Sequence, residues 1–200
     1  MPSDCISYQD SGYFSKLMID YLNEEKNVQT LYHRFPKLEN FEAQILEKQS
    51  DFSQKNRDIL SLALTEQYAN FKISEVTKAN IQSLQSPNTF TITTGHQLNL
   101  FTGPLFFMYK IISVINLTKE LKEKHPNFNF VPVYWMATED HDFDEIHYFN
   151  YKDKKFQWNK EASGPVGRLD LNDLDKVFSS FSNELGSGEN AKQLKTWFEN

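Results

Sequence analysis

The sequence contains a single cysteine, Cys5, and offers no clear export or membrane segment. One thiol excludes an intrachain disulfide framework and a thiolate metal site, and it fits a reducing compartment. The first ten residues lack a basic region followed by an apolar one, so no signal peptide is expected. The most apolar segment, residues 105–117, is too short to span a bilayer and contains Lys110. The sequence therefore predicts a cytoplasmic protein with no membrane partner, in which Cys5 has no catalytic part.

Positive charge and glycine motifs are also scarce. The formal net charge is −6, which argues against nucleic acid as a partner. Neither G-x-G-x-x-G nor G-x-x-x-x-G-K-[ST] occurs. The sequence therefore has neither a dinucleotide fingerprint nor a Walker loop.

Apolar residues are abundant enough for a core. They make up 39% of the chain, with 17 Phe and 9 Tyr, and the charged fraction of 24% is that of a folded protein. Helical spacing of apolar residues predicts short helices at about 15–23, 38–49, 56–68 and 74–84. Ser86-Pro87-Asn88 then interrupts the pattern. We expect a helical N-terminal region that packs on a core.

The stretch TFTITTGHQLNLFTGP, residues 89–104, combines the signals of a strand, a loop and a helix start. The β-branched and aromatic residues of Thr89–Thr94 predict a strand, which Gly95 is expected to end. The loop that follows begins with His96 and Gln97, whose side chains donate or accept hydrogen bonds. No other stretch of the sequence has so many polar groups at one corner.

A long apolar helix is predicted after this loop. Pro104 has a backbone φ suited to a first helical turn, and the helix is expected to run to about Lys122. Apolar residues surround it on most sides, which predicts burial between layers, as in the crossover of a βαβ unit. Because helix N-termini attract anions, the loop before this helix is a candidate binding site.

A second strand and an acidic cluster follow. Phe130–Met136 is apolar on both faces, as expected of a parallel strand covered by helices. A right-handed crossover would bring its end to the sheet edge where the first strand ends, and ligands bind there in open α/β sheets. Glu139, Asp140 and His141 come directly after this strand. Repulsion between neighbouring carboxylates favours a functional role for them.

The rest of the acidic segment has two further interpretations. The spacing from Asp142 to Glu145 matches a capping box, which predicts a short helix. His141 with Glu145, or Asp144 with His147, has a helical spacing that metal ligands use, although no HExxH motif occurs. A metal-dependent hydrolase built on this cluster therefore stays an alternative, and no residue is assigned as a metal ligand.

The pattern changes from Tyr148 onward. Aromatic residues on both sides of residues 152–155 predict a β-hairpin, and helices are predicted at about 172–185 and 191–198. The sequence is thereby divided into a helical region (1–88), a Rossmann-like βαβ core (89–148) and a hairpin with helices that begins an inserted or connecting segment (149–200).

Several motifs resemble one known family. Thr94–Gln97, Phe101–Leu105 and Pro132–Ile146 are similar to the bacillithiol biosynthesis cysteine-adding enzyme (BshC) family, as are Gly12–Phe14 and Gly164–Leu169. The resemblance spans essentially all 200 residues. Family members are much longer, so the sequence resembles their N-terminal portion. The resemblance implies that the remaining part carries more of the sheet and a coiled coil that pairs two protomers as a homodimer.

The resemblance also implies a fold and an activity. The fold is an α/β Rossmann-like parallel sheet, related to nucleotidyl-transferases and class I synthetases. The activity is the last step of bacillithiol synthesis, in which a ligase joins cysteine to the amino group of glucosaminyl malate. Related folds hold ATP phosphates with a His-x-Gly-His signature, whereas the corresponding place here reads Gly95-His96-Gln97. The cofactor is therefore unknown, with ATP an open alternative.

Amide formation gives the candidate residues their roles. A carboxylate needs an activating phosphate or AMP group, whose charge needs hydrogen-bond donors, and the amine must lose a proton. The predicted catalytic residues are His96, Asp140 and His141, of which Asp140 or His141 would act as the base. The residues predicted to bind substrate or nucleotide are Gly95, Gln97, Thr102, Gly103, Glu139 and Asp142. The alternative from another class is a scaffold that binds a small anion or nucleotide without chemistry.

Overall fold

A computed structural model describes residues 4–199, apart from the side chain of Thr102. The α-helices within this range are α1 (Tyr8–Ser11), α2 (Lys16–Leu22), α3 (Phe41–Asp51), α4 (Gln54–Gln67), α5 (Glu75–Ser83), α6 (Leu105–Lys124), α7 (Phe143–Ile146), α8 (Leu174–Leu185) and α9 (Glu189–Glu199). The strands are β1 (Thr89–Gln97), β2 (Asn129–Ala137), β3 (Tyr148–Tyr151) and β4 (Lys154–Gln157). Short 3₁₀ helices span Lys26–Leu31, Leu38–Asn40, Leu100–Thr102 and Val166–Arg168.

The chain divides into two compact units, with the boundary between Phe90 and Thr91. The three-part division drawn from the sequence stays a prediction. Among residues 4–199, no helix combines the length and the apolar character that crossing a membrane requires.

Serine side chains begin four helices of the first unit, and the first of them, Ser7, precedes α1 and accepts from the backbone N–H of Asp10. Ser15, Ser53 and Ser74 precede α2, α4 and α5, and each hydroxyl accepts a hydrogen bond from the backbone N–H three residues later. Such caps satisfy amides that have no partner inside the helix. The helices predicted from apolar spacing in this unit are confirmed, with boundaries that differ by a few residues.

Arg57 is a buried charged residue of the first unit and is only 4% exposed. Its guanidinium donates to three backbone carbonyls, at 3.2 Å to Leu84, 2.9 Å to Thr89 and 3.3 Å to Pro87. Burial lowers the pKa of Arg57. These bonds tie α4 to the end of α5 and to the segment that leads into β1.

The second unit contains the predicted strand–helix–strand arrangement. β1 and β2 form a parallel two-stranded sheet, and α6 connects them. The Rossmann-like fold class is confirmed. One detail was wrong, because Gly95 does not end β1, which continues through His96 to Gln97. A Cβ at Gly95 would lie 3.1 Å from the Cβ and the carbonyl oxygen of Trp135, so glycine allows the strands to run on in close contact.

The predicted burial of α6 on most sides was also wrong. Leu105, Phe106 and Tyr109 are each more than half exposed, and the buried residues of α6 are Thr118 and Leu121. The physical reason is that the two strands described here cover one side of the helix. The apolar residues on its other side face solvent in this part of the chain.

The core of the second unit lies around the predicted hairpin, which is confirmed as β3 and β4. Lys152 and Asp153 form its turn with φ of 47° and 62°, the left-handed values that two-residue hairpin turns require. The buried core residues are Leu100, Phe143, Ile146, Phe156, Trp158, Val166, Val177 and Phe181. Phe101 packs onto this core, with ring centroids 4.7 Å from Phe149 and 4.1 Å from Phe198. The loop after β1 is thereby fixed to the hairpin.

Candidate functional site

A cavity of about 450 Å³ lies where β1 ends and α6 begins. Residues from three segments line it, 96–99, 103–106 and 145–150. The first two segments belong to the central motif of the sequence, and the third begins in the acidic motif. The parallel pairing of β1 and β2 explains the meeting, since parallel strands deliver their following loops to one edge of the sheet.

A hydrogen bond joins the two motifs directly. Gln97 Nε2 donates to Glu145 Oε2 at 2.9 Å, although the residues are 48 positions apart. Gln97 is the last residue of β1, and Glu145 lies in the single turn of α7. Both side chains line the cavity, which therefore contains an amide and a carboxylate held in fixed relation.

His96 lies beside this pair and is held by its neighbours. Asn99 Nδ2 is 3.0 Å from His96 Nδ1, and the imidazole packs on the ring of Phe106 with centroids 5.0 Å apart. The carbonyl of His96 is 3.5 Å from the hydroxyl of Tyr134, whose pKa burial raises. Contacts on the ring and on the backbone together fix where this side chain lies.

Gly103 closes the loop that precedes α6. Its φ is 62°, a left-handed value that other residues rarely adopt. A Cβ at this position would lie only 2.7 Å from Cβ and Cγ of Asn99. Phe101, two residues earlier, is also left-handed with φ of 50°. The loop is strained at Phe101, and the packing of that ring into the core holds it there.

The N-terminus of α6 opens beside the cavity. Pro104 takes the N-cap position with ψ of 154°, so the helix begins at Leu105, one residue later than predicted. No described side chain caps it. Lys110, one turn into the helix, donates to the carbonyl of Gly95 at 3.2 Å.

The hydrogen-bond donors at the start of α6 are of the type that binds phosphate groups. The start of a 20-residue helix is uncapped beside His96, and amides at helix N-termini bind phosphates. No Lys or Arg side chain lines the described part of the cavity, so the donors available to an ATP phosphate are neutral amides, the imidazole and the hydroxyl of Tyr148.

The other acidic residues lie outside this cavity lining. Glu139 and His141 are exposed, and Glu139 Oε1 accepts a long hydrogen bond of 3.4 Å from Trp135 Nε1. Asp140 Oδ1 accepts from the backbone N–H of Asp142 at 2.8 Å. The structure therefore brings His96, Gln97 and Gly103 together, but it does not bring Glu139, Asp140, His141 or Asp142 into the same lining. The assignment of these residues stays a prediction.

The predicted capping box does not form. Asp142 is the N-cap of α7, but its side chain makes no capping bond, and Glu145 is bonded to Gln97 instead of reaching back. The negative charge of Glu145 is the main cause of a raised pKa at Asp142, followed by burial and by the charges of Asp140 and Asp144. Repulsion among these carboxylates thus persists in the folded chain.

The segment after Pro165 holds the acidic loop in place. Val166 N–H donates to the carbonyl of Asp140 at 2.8 Å, and Gly167 N–H donates to that of Thr138 at 2.9 Å. A Cβ at Gly167 would lie 2.5 Å from Cβ of Thr138. The Gly164–Leu169 stretch therefore packs directly against the acidic motif, and a side chain at position 167 would disturb that contact.

No group of three or more His, Cys, Asp or Glu side chains within the described residues is arranged to hold a metal ion. The sequence-based pairs, His141 with Glu145 and Asp144 with His147, therefore find no third ligand within that range.

Two cavity residues were missed or misread from the sequence. The sequence predicts no role for Asn99, and for Glu145 it predicts either a helix cap or a metal ligand paired with His141. An amide two residues after Gln97 offered a weak signal for Asn99, whereas the partner of Glu145 depends on how the strands pair. The side chain of Thr102, a predicted binding residue, lies outside the described residues.

Comparisons with known proteins point to one family. The family described as bacillithiol biosynthesis BshC, N-terminal Rossmann-like domain, matches residues 1–200. Curated relatives named "Putative cysteine ligase BshC" include one from Flavobacterium johnsoniae, 64% identical over 199 residues, and one from Christiangramia forsetii, 56% identical over 203 residues. Each alignment covers 100% of this chain. A relative of the same name from Bacillus cereus is 32% identical over 82% of the chain.

The chain is much shorter than these relatives. It spans 38% of the length of the Flavobacterium and Christiangramia proteins and 32% of the Bacillus protein. What the similarity establishes for the whole length of this chain is therefore the N-terminal domain of that family.

Proposed function

The chain belongs to the BshC family of bacillithiol biosynthesis, and from this premise we propose that it forms the Rossmann-like part of a ligase that joins cysteine to glucosaminyl malate, the final step of that synthesis. The observation that carries the proposal is the hydrogen bond from Gln97 to Glu145. It holds together two motifs that define the family resemblance, at a sheet edge where α/β proteins bind ligands.

The bond to be formed determines what the cavity must supply. The carboxyl carbon of cysteine gains the nitrogen of the amino sugar and loses an oxygen that leaves on an activating group. Negative charge grows on that leaving group, and hydrogen-bond donors stabilise it. The attacking amine must also give up a proton to a base.

His96, Gln97 and the first turn of α6 are the donors suited to the leaving group. Gln97 uses one amide hydrogen on Glu145, which leaves the other free for a ligand. When bound, ATP would supply the phosphate or AMP that activates the carboxylate. His96 and the amides at the start of α6 would hold its phosphate-bearing portion.

Carboxylates are suited to the amine side of the reaction. Glu145 lies in the cavity and can orient a cationic ammonium group. Asp140 or His141 is proposed as the base, and Glu139 and Asp142 as substrate contacts. Because these four residues are not part of the cavity lining, the proposal requires a substrate that extends beyond the cavity toward them.

Ligation assays with the full-length protein test the proposal. Cysteine, glucosaminyl malate and ATP are supplied, and bacillithiol is measured by mass spectrometry. We expect His96→Ala and Asp140→Asn each to lower turnover by at least tenfold while the thermal midpoint stays within a few degrees. His33→Ala, an exposed histidine of the first unit, is the matched control and should retain wild-type turnover.

The alternatives give different outcomes. A scaffold that binds a small anion or nucleotide would take up ATP in isothermal titration, yet no variant of the cavity would change turnover. A metal-dependent hydrolase on the Glu139–His147 cluster would lose activity on chelation and regain it with one divalent metal. Unchanged bacillithiol formation by both His96→Ala and Asp140→Asn would remove the site assignment.

We also propose that the longer protein is a cytoplasmic homodimer paired through a coiled coil outside this chain. Analytical ultracentrifugation of the full-length protein should give the dimer mass. A monomer at micromolar concentration would contradict it.

A further inference from the structure

Asn99 occupies a position that the ligase proposal does not use. Its Nδ2 lies 3.0 Å from His96 Nδ1 and 3.0 Å from the carbonyl oxygen of Gln97. Both contacts come from one amide nitrogen, which carries two hydrogens. The neighbouring carbonyl can only accept, so it fixes which end of the amide points inward, since the amide oxygen in that place would face another acceptor.

The orientation of Asn99 decides the state of the imidazole. One hydrogen of Nδ2 goes to the carbonyl of Gln97, and the other points at His96 Nδ1. A neutral histidine accepts at one ring nitrogen and donates from the other. If the contact from Asn99 to Nδ1 is a hydrogen bond, Nδ1 is its acceptor and the ring proton resides on Nε2.

A competing arrangement exists within the same contacts. His96 Nδ1 is also 3.1 Å from the carbonyl of Gln97, so a proton on Nδ1 could be donated there. That arrangement would direct the Nδ1 proton and an Asn99 amide hydrogen toward each other. The contact between Asn99 and the ring is therefore repulsive in one tautomer and a hydrogen bond in the other.

Gly103 makes the position of Asn99 available. A Cβ on Gly103 would stand 2.7 Å from Cβ and Cγ of Asn99, closer than real Cβ contacts come. Any side chain at this position would displace Asn99 or distort the loop. The glycine of the Thr-Gly-Pro motif thus acts on His96 through Asn99.

We infer that Asn99 is a positioning residue that holds His96 in the tautomer with its proton on Nε2, so that His96 enters the cavity as a hydrogen-bond donor. His96 Nε2 makes no hydrogen bond to any described residue, which leaves it for a ligand. The inference deepens the proposed function, on which its catalytic meaning rests. A donor suits a leaving group that gains negative charge, and it makes His96 unsuited to act as the base.

Nitrogen chemical shifts of the imidazole test this without substrate. The full-length protein is labelled with ¹⁵N-histidine and examined about two pH units above the usual histidine pKa of about 6.5, where the rings are neutral. The wild-type protein should show protonated Nε2 and unprotonated Nδ1 at His96. Asn99→Asp puts an acceptor beside Nδ1, so the proton should move to Nδ1.

Two further variants separate positioning from simple damage. Asn99→Ala removes the donor and should leave a mixture of tautomers, and Gly103→Ala should do the same by displacing Asn99. Gly188→Ala, where the added Cβ meets nothing within 4 Å, is the control and should leave the His96 signals unchanged. Signals from His33, His125, His141 and His147 report whether each variant remains folded.

The outcomes are distinct from those of the ligase assay. A wild-type protein with the proton on Nδ1, or an Asn99→Ala variant that is folded and keeps the wild-type tautomer, would overturn the inference. Neither result depends on ligation, and absence of ligase activity would leave the tautomer assignment standing. If both proposals hold, Asn99→Asp should lower kcat by more than tenfold with a smaller change in KM.

Discussion

Gln97 Nε2 and Glu145 Oε2 are 2.9 Å apart, a hydrogen bond that joins the last residue of β1 to α7. The bond determines which part of the acidic motif reaches the cavity. Glu145 turns toward Gln97 and away from the N-cap of its own helix. The carboxylate that was expected to cap a helix therefore lines the cavity of the candidate site.

Exchanging the amide and the carboxylate of Gln97 and Glu145 should show whether their hydrogen bond contributes to stability. Gln97→Glu places two carboxylates at hydrogen-bond distance, so we expect lower ligation and a thermal midpoint reduced by about 2–4 °C, because an exposed pair contributes at most about 1 kcal/mol. The double variant Gln97→Glu with Glu145→Gln restores one donor and one acceptor with their positions exchanged. It should regain the midpoint. If the double variant is no more stable than Gln97→Glu alone, the bond does not form in solution.

The strand, helix and hairpin elements could be predicted because their signals are local. Thr89–Thr94 and Phe130–Met136 carry strand composition, and the residues after Pro104 carry helical composition. The continuation of β1 beyond Gly95 could not be predicted this way. It depends on contact with Trp135 in the partner strand, where the absence of a Cβ favours pairing over a turn.

The sequence predicts which loops meet at the candidate site. It does not predict which side chains bond to one another there. Parallel pairing accounts for why the His96 and Glu145 segments meet. The partner of each side chain depends on register and on competition between hydrogen bonds. Glu145 could have bonded to the N-cap of its own helix or to Gln97. In the structure it accepts from Gln97, which is 48 positions away, and it makes no bond to the nearby N-cap.

The glycine at position 167 should be intolerant of a side chain. Gly167→Ala puts a Cβ 2.5 Å from Cβ and 2.9 Å from the carbonyl oxygen of Thr138. Overpacking of this kind costs about 1–3 kcal/mol, so the thermal midpoint should fall by about 2–12 °C. Adding Thr138→Gly removes the clash with Cβ and leaves the one with the carbonyl, so recovery should be partial. A Gly167→Ala protein with a wild-type midpoint would contradict this contact.

Arg57 should stabilise the first unit through its backbone contacts. Arg57→Met leaves carbonyls of Leu84, Pro87 and Thr89 without the donors they have now, at about 1–3 kcal/mol for each buried group left unpaired. Because the bonds to Leu84 and Thr89 are buried and the one to Pro87 is only partly buried, we expect a loss of about 2–6 kcal/mol in the free energy of unfolding, measured by urea denaturation. Arg57→Lys should recover only part, because an ammonium lacks the planar fork of donors. Lys55→Met, an exposed position on the same helix, should change stability by less than about 0.5 kcal/mol, and an equal loss there would contradict the assignment.

Asp142 and Asp170 should respond to pH with opposite signs. The charge of Glu145 is the largest cause of the raised pKa at Asp142, so the folded state disfavours the ionised form and loses stability as pH rises through the acid range. A hydrogen bond from Lys160 at 2.7 Å is the main cause of a lowered pKa at Asp170, whose contribution is present near neutral pH and is lost as pH falls. Asp142→Asn should therefore raise the thermal midpoint at pH 7, and Asp170→Asn should lower it. Both differences from wild type should shrink at about pH 3, where the unfolded carboxyl, with a pKa of about 3.9, is mostly protonated. Equal shifts of the same sign at pH 7 would show that the substitutions act through packing and not through the charges assigned to them.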